Sequence, residues 1–433
     1  MSLVAIGVIG IVVMLLLLFS RMPVGFAMML VGFAGFGYIV SPSAAAALLP
    51  LDLYALFSTY SLLCIPLFIL MGEFAFCSGI GNRLYDVAHK WVGQFRGGVA
   101  MATVWASAAF GAVCGNPIAT AATIGTVALP QMKKLNYDEA LSTSCVAAGG
   151  TLAELIPPGI TLIVYGIMTK ISIGKLFAAG VFVGILDAVL FCFTIYALTR
   201  IHPSWGPAGP RTEFREKLVS IPQIWETVVV FAFIMGGIYA GWFSPMQAGG
   251  IGAAAILIIA LSRRIINRKH FTAAVLAATR LSCMVMILLA GATVFGHFLA
   301  VTRIPFEVAV WIESQGWSPF IVLIMILAVY FVAGFFIDAL AFMMLTLPIF
   351  FPLVVGMGID PIWFGVVLLL CMNMGALTPP VGILVYVVKG IAPDVPLETI
   401  FKGIFPFLIP ISILIGILWA FPEIVLFLPG FIG

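Results

Sequence analysis

The chain has 433 residues, of which 63% are hydrophobic and 9% are charged, and its formal net charge is +3. Soluble domains are about half apolar and about a quarter charged, so this composition excludes a soluble globular protein and indicates an all-α polytopic membrane protein. A net charge this small gives no indication of a nucleic acid partner, and we expect none. The bilayer itself is the expected environment.

Ten apolar runs are long enough to cross the bilayer as helices. The hydrocarbon core of a bilayer is about 30 Å thick, and a helix rises about 1.5 Å per residue. They lie at 3–20, 23–40, 53–80, 138–169, 175–199, 224–242, 246–262, 273–300, 359–388 and 399–420. No small-residue cleavage site follows the first run, so we expect a retained span and not a signal peptide. Two further apolar segments, 97–135 and 318–356, have Gly, Pro and polar residues at their centres, which predicts re-entrant hairpins.

The basic residues are distributed unevenly between the two sides of the membrane. If both hairpins return to the side they entered from, 17 of the 20 Lys and Arg residues lie on one side. The other side holds only Lys170, Lys175 and Arg303. Because basic loops stay in the cytoplasm, this asymmetry predicts that both termini lie outside.

One polar interruption occurs twice, at a single offset of 222 residues. Pro130, Asp138, Pro157 and Pro158 recur as Pro352, Asp360, Pro379 and Pro380. We therefore predict two repeats, 1–203 and 223–433, joined by a cytoplasmic linker at 204–222 that has no further role. Each repeat has an odd number of crossings, so the second should be inverted relative to the first, as in secondary transporters with a site near the midplane.

Residues 84–95 place apolar and charged side chains on opposite faces of a helix. This pattern predicts an amphipathic helix in the membrane interface just before the first hairpin. The stretch around Trp311 takes the same place before the second hairpin. Such helices would brace a fixed frame; the alternative is a solvated connector.

The hairpin apices, 111–117 and 334–338, place Asn116 and Asp338 at equivalent positions of the two repeats. An unwound apex frees backbone carbonyls to replace water around a small cation. A carboxylate at membrane depth is costly, so we expect Asp338 to be functional. The alternative is that it pairs with a buried donor.

Each Pro-Pro pair should split its span into two half-helices, because proline removes an amide donor and clashes with the preceding turn. Thr151 and Asn373 match at the 222 offset and offer oxygens there. The predicted cation-site residues are Gly111, Gly115, Asn116, Gly150, Thr151, Gly334, Asp338, Asn373, Gly375 and Thr378. The predicted substrate-site residues are Asn116, Pro117, Thr120, Glu154, Pro157, Pro158, Pro379 and Pro380.

Other polar residues at membrane depth receive structural interpretations. Glu73 and Asp187 lie near the predicted ends of their spans, and His297 is interpreted as a packed histidine. The chain has no P-loop, HExxH or GxSxG motif and no cytoplasmic segment long enough for a nucleotide-binding domain. We therefore predict a transporter, not an enzyme, driven by an ion gradient or by another subunit.

Three segments carry a family resemblance: Pro130-Gln-Met-Lys-Lys-Leu-Asn-Tyr-Asp138, Ile156-Pro-Pro-Gly-Ile-Thr-Leu-Ile-Val-Tyr-Gly166 and Gly375-Ala-Leu-Thr-Pro-Pro-Val-Gly382. Along nearly its whole length the chain resembles the large membrane subunit of tripartite ATP-independent periplasmic (TRAP) transporters. It looks closest to the sialic acid (N-acetylneuraminate) branch. Asn116-Pro117 departs from the small hydroxyl residues that members often carry, which favours backbone carbonyls and the Asn116 amide oxygen as cation ligands.

This resemblance implies an elevator-type fold shared with the ion transporter superfamily, in a bacterial inner membrane with both termini in the periplasm. It implies coupling to two or more Na+ ions. It also implies a small four-helix membrane subunit and a periplasmic substrate-binding protein that delivers an organic acid. The alternative is a stand-alone Na+/carboxylate symporter of the same superfamily; a channel or a membrane-embedded enzyme fits the paired hairpins less well.

Overall fold

The computed structural model describes residues 2–432, and its regular structure is helical. The first half contains α1 (Leu3–Phe19), α2 (Val24–Ile39), α3 (Pro42–Phe57), α4 (Cys64–Cys77), α5 (Ile80–Val92), α6 (Gly98–Cys114), α7 (Pro117–Lys134), α8 (Glu139–Leu155), α9 (Ile160–Thr169) and α10 (Ile173–Ile201). After α11 (Phe214–Ser220) come α12 (Trp225–Tyr239), α13 (Pro245–Ser262), α14 (Arg268–Thr302), α15 (Ile304–Ser314), α16 (Pro319–Gly334), α17 (Ala339–Gly356), α18 (Pro361–Leu377), α19 (Ile383–Ile391), α20 (Leu397–Ala420) and α21 (Glu423–Leu426).

Length and hydropathy confirm a polytopic membrane protein. Within 2–432, seven helical segments are long and apolar enough to cross a membrane, and a bent pair at Phe214–Gln223 and Trp225–Tyr239 gives an eighth. The remaining predicted spans α1, α2 and α18 are apolar helices of 17, 16 and 17 residues. Both predicted hairpins are present as helix pairs, α6 with α7 and α16 with α17.

The prediction of one continuous span at 53–80 is wrong. Helix α3 ends at Phe57, and Thr59 takes an extended backbone with ψ of 116° before a short turn leads into α4. The corresponding part of the second repeat is the single helix α14 of 35 residues. No proline marks the break at Ser58 and Thr59, so hydropathy alone runs across it.

Helices recur at the offset of 222 residues. The bounds of α7 and α17 match at this offset, as do those of α8 and α18. Their N-caps match as well: Asp138 accepts hydrogen bonds from two backbone amides of α8 at 2.8 and 3.1 Å. Asp360 accepts the same pair in α18, also at 2.8 and 3.1 Å. A cap of this kind satisfies amides that have no partner inside the helix. The repeat boundaries at 203 and 223 stay a prediction.

The helices form two groups, which we name the core bundle and the frame. The core bundle consists of α6–α10 and α16–α20. The first hairpin packs on α8, α10 and α19, and the second packs on α18 and α9. The frame contains α2 packed along α14 and α4 packed on α13 and α14, with α1 and α12 outside. α5 and α15 lead from the frame to the hairpins.

Helix α5 is the predicted amphipathic helix, although it begins at Ile80 and ends at Val92, a few residues before the predicted bounds. Its buried face includes Leu84 and Val87 and packs on α6. An ion pair that the sequence did not point to holds α5 near the frame: the Glu226 carboxylate, 3% exposed, contacts the guanidiniums of Arg83 at 3.7 Å and of Arg263. A carboxylate this buried persists only when cations compensate its charge.

The linker does more than join the repeats. Gly97 N donates to Gly206 O at 2.9 Å and Gly209 N donates to Gly93 O at 3.0 Å, so the linker runs beside the connection between α5 and α6. Asp138 N donates to Trp205 O at 3.0 Å. A Cβ on Gly206 would lie 3.0 Å from Gly97 Cα, which explains glycine at this crossing. The linker therefore ties together both ends of the first hairpin.

Candidate functional site

The first hairpin apex lies against the break between α8 and α9. Helix α6 ends at Cys114 and is followed by Gly115, which has a φ of +64° that non-glycine residues rarely adopt. The Gly115 carbonyl accepts a hydrogen bond from Ile160 N at 3.3 Å. A Cβ on Gly111 would lie 2.7 Å from Ala153 Cα, and one on Gly150 would lie 3.1 Å from Pro117 O. At these predicted site glycines the absence of a side chain allows two backbone segments to contact each other.

The second apex repeats this arrangement against α18. Helix α16 ends at Gly334, where a Cβ would lie 3.0 Å from Met372 O and 3.1 Å from Gly375 Cα. A Cβ on Gly375 would in turn lie 2.8 Å from Gly334 Cα. Two glycines from different helices thus face each other, and the hairpin apex rests directly on the second broken helix.

Both Pro-Pro pairs split their spans, as predicted. Helix α8 ends at Leu155 and α9 begins at Ile160, while α18 ends at Leu377 and α19 begins at Ile383. The Pro157–Pro158 and Pro379–Pro380 bonds are cis. The hydroxyls beside the breaks donate within their own helices: Thr151 to Ala148 O at 2.6 Å and Thr378 to Met374 O at 2.7 Å. Their lone pairs remain available as acceptors.

The two broken helices touch each other at equivalent residues. Asn373 Nδ2 donates a hydrogen bond to Thr151 O at 3.4 Å, and the two residues are 222 apart in the chain. Both are buried, with exposures of 3% and 0%. A contact between residues at the same position of two repeats can only lie at the axis that relates the repeats. The predicted site residues Thr151 and Asn373 therefore mark the centre of the core bundle.

Asn116 and Asp338 are both N-caps at the apices. Asn116 Oδ1 accepts from Ala119 N at 3.0 Å, and Asp338 Oδ2 accepts from Ala341 N at 3.4 Å. The Asp338 side chain is reached by solvent although protein surrounds it on most sides. This combination is expected of a carboxylate that lines a cavity at membrane depth.

Glu154, from the first broken helix, lies close enough to Asp338 for their charges to repel. Glu154 is 6% exposed and accepts a hydrogen bond from Thr161 Oγ1 at 3.3 Å. Its Oε2 atom has no hydrogen-bond partner among the residues that the structure describes. Negative charge at Glu154 and Asp338, which belong to different repeats, favours a cation nearby.

Two buried hydroxyls near the first break are candidates for ligand contact. Thr120, predicted as a substrate residue, is 0% exposed, and its Oγ1 has no partner within 2–432. The same holds for Ser107 Oγ, which the sequence reasoning missed. A Cβ on Gly149 would lie 2.7 Å from that oxygen. Because buried polar groups are normally hydrogen bonded, both are expected to bind water or ligand.

Three polar residues outside the centre differ in part from prediction. Asp187 is not near the end of its span: it lies in the middle of α10 and is 1% exposed. His297 is not a packed histidine, because its Nε2 lies 3.1 Å from Asp52 Oδ2 and its side chain is 43% exposed. Glu73 lies near the end of α4, as predicted, and is half-buried. The hydropathy of a span shows neither the depth of a particular residue in the membrane nor its partners on other helices.

The chain matches a known family along most of its length. Residues 11–424 match the family described as "Tripartite ATP-independent periplasmic transporter, DctM component". The C4-dicarboxylate TRAP transporter large permease protein DctM of Pseudomonas aeruginosa is 34% identical over 396 residues, which are 91% of this chain and 92% of that protein. The sialic acid TRAP transporter large permease protein SiaM of Vibrio cholerae is 28% identical over 414 residues, 95% and 96% of the two chains.

A solved structure shows the same fold. The crystal structure of the Alcanivorax borkumensis YdaH transporter is similar with a TM-score of 0.61 and 15% identity, and the match covers 88% of this chain and 90% of that one. At this identity the likeness speaks for the fold alone. It confirms the fold class predicted from the repeats and hairpins.

Proposed function

Because this chain belongs to the DctM component family of tripartite ATP-independent periplasmic transporters, we propose that it couples the import of an organic acid to the entry of Na+. It is a large permease subunit of this family, a multi-pass membrane transporter and not an enzyme. The main observation behind this proposal is the contact between Asn373 and Thr151. It joins the two broken helices, and each of these helices packs against one hairpin apex.

The backbone at the apices and breaks supports Na+ as the coupling ion. Freed backbone carbonyls at each apex and break are the groups that replace water around alkali cations in membrane proteins. Each apex with its neighbouring break would hold one ion, so two or more Na+ would bind per cycle. The second site has the added charge of Asp338, and Glu154 lies near it.

Four helix N-termini support an anionic cargo. Helices α7 and α9 begin at the first apex and break, and α17 and α19 begin at the second. The N-terminus of a helix carries a partial positive charge and free amides, which favour a carboxylate. Relatives named for C4-dicarboxylates and for sialic acid share that group. The cargo proposed here is a carboxylate; the sialic acid branch stays a prediction.

The contacts of the two repeats with the frame support an elevator motion. Helix α17 packs on α2 and α14, and α9 packs on α4. Among the described residues their counterparts α7 and α19 do not pack on α2, α4 or α14, although α7 packs on α5. Sliding the core bundle along the frame would exchange these contacts and expose the centre to the opposite side.

Cysteine labelling tests the orientation. In a Cys283→Ser background, which removes the exposed native thiol, Lys133→Cys and Arg215→Cys should react with an impermeant reagent only from the cytoplasm. Arg303→Cys should react only from outside. All three side chains are exposed, so access depends on the side of the membrane alone. Labelling of position 133 in intact cells would contradict the re-entrant first hairpin.

Reconstitution tests the function. The family implies a small membrane subunit and a periplasmic substrate-binding protein as partners. Liposomes that contain this chain with both partners should accumulate a carboxylate cargo when Na+ is outside, and much less when K+ replaces it. Omission of either partner should remove uptake. Full uptake by this chain alone would instead favour the stand-alone symporter.

A further inference from the structure

One cavity lies away from the proposed transport site. It has a volume of about 670 Å³ and lies between α7, the start of α8 and the loop after α19. Its lining includes Thr126, Leu129, Lys133, Thr143, Ile391 and Asp394. Thr126 is ten residues beyond Asn116, about 15 Å along the helix, so the cavity does not reach the apex through α7.

The corresponding space between α17, α18 and α9 is filled by side chains. Phe351 stands where the first repeat has Leu129, and its ring contacts Tyr165 edge to face with centroids 6.3 Å apart. Tyr165 of α9 is equivalent to Val387 of α19 at the offset of 222 residues. Its ring packs on Gly365, where a Cβ would lie 2.6 Å from a ring carbon, and its hydroxyl donates to Pro361 O at 2.6 Å. Thr143 takes the place of Gly365. The cavity therefore results from smaller side chains at positions 129 and 387 than at their counterparts 351 and 165.

The mouth of the cavity carries charges of both signs. Lys133 Nζ lies 3.6 Å from Asp394 Oδ2, and these side chains are 76% and 79% exposed. Glu139 lines the same mouth and is exposed. Leu129 and Ile391 give one wall an apolar surface. The charge distribution of the chain places this mouth at the cytoplasmic surface of the membrane.

We propose that this cavity binds a zwitterionic lipid of the cytoplasmic leaflet whose head group joins a primary ammonium to a phosphate, phosphatidylethanolamine. The Lys133 ammonium binds the phosphate, and the carboxylates of Asp394 and Glu139 accept hydrogen bonds from the lipid ammonium. The apolar wall takes the start of an acyl chain. An anionic head group leaves two carboxylates without a counter-charge, and a choline head group has no N–H to donate.

Lipid retention by the purified full chain tests this proposal. The protein is equilibrated with vesicles of phosphatidylglycerol mixed with either phosphatidylethanolamine or phosphatidylcholine, and bound lipid is counted by native mass spectrometry. We expect phosphatidylethanolamine to be retained about fivefold more than phosphatidylcholine, the ratio that one charge-assisted hydrogen bond of about 1 kcal/mol gives. Lys133→Gln should lower the retention of both lipids, because both carry the phosphate, and Asp394→Asn should remove the preference for phosphatidylethanolamine. Lys134→Gln, an exposed neighbour outside the lining, should keep it.

A second variant fills the cavity without changing its charges. Leu129→Phe combined with Val387→Tyr and Thr143→Gly copies the residues that fill the corresponding space, including the glycine beneath the tyrosine ring, and we expect this variant to lose the bound lipid while its unfolding temperature does not fall. Retention of phosphatidylethanolamine by this variant, or equal retention of both lipids by the unmodified chain, would overturn the proposal. Displacement of the lipid by a carboxylate cargo would also overturn it, because the cavity would then belong to the transport path.

Discussion

Replacement of Asp338 by asparagine is expected to raise the Na+ concentration for half-maximal uptake by about tenfold or more. The change removes one negative charge from the second apex; at about 4 Å and an effective dielectric near 20, one such charge attracts a cation by up to about 4 kcal/mol. Each loss of about 1.4 kcal/mol is tenfold in affinity. Asparagine keeps the shape and the ability to cap α17, so folding should survive. Uptake measured against Na+ concentration gives the result.

Asp360→Asn is the matched control. Asp360 caps α18 with hydrogen bonds of 2.8 and 3.1 Å, so the same substitution occurs at an equivalent kind of position away from the apices. It should leave the Na+ dependence unchanged. At the first apex, Asn116→Asp should be tolerated better than Asn116→Leu, which removes the oxygen. An unchanged half-saturation point and slope for Asp338→Asn would make this residue a structural cap.

The variant Gly375→Ala is expected to take up cargo more than about tenfold more slowly than the unmodified chain. The new Cβ would lie 2.5 Å from Phe331 O and 2.8 Å from Gly334 Cα, and backbone atoms cannot rotate out of its way. Overpacking of this kind costs about 1–3 kcal/mol and would push α16 away from α18. The second apex would then stand off the break where the ion and the cargo are proposed to bind. Initial uptake rates and the unfolding temperature are the two readouts.

Gly390→Ala provides the comparison for this loss. No atom lies within 4 Å of a Cβ at Gly390, in the neighbouring half-helix α19, so alanine fits there and improves helix propensity. Gly334→Ala should be intermediate, because its nearest contacts are 3.0 and 3.1 Å. Equal uptake by Gly375→Ala and Gly390→Ala would show that the contact between the two glycines has no part in transport.

The sequence by itself determined the membrane class, both hairpins, both broken helices and the equivalence of Asn116 with Asp338. These features depend on local properties: hydropathy sets a span, and a Pro-Pro pair interrupts a helix wherever it lies. A repeat adds long-range information, since one offset aligns distant positions without any knowledge of their contacts. The break after Phe57 escaped prediction because the residues there carry no strong helix-breaking signal.

Only the tertiary structure decided which of these residues meet. The hydrogen bond between Asn373 and Thr151 and the contact of Gly334 with Gly375 each join separate helices. The packing also brings Glu154 within electrostatic range of Asp338. The charge pairs of Glu226 and of His297 likewise join helices that are distant in the chain. A hydropathy pattern shows that a side chain is placed at membrane depth. Its partners follow from the packing of two repeats, where small residues at a few crossings decide how closely the helices approach.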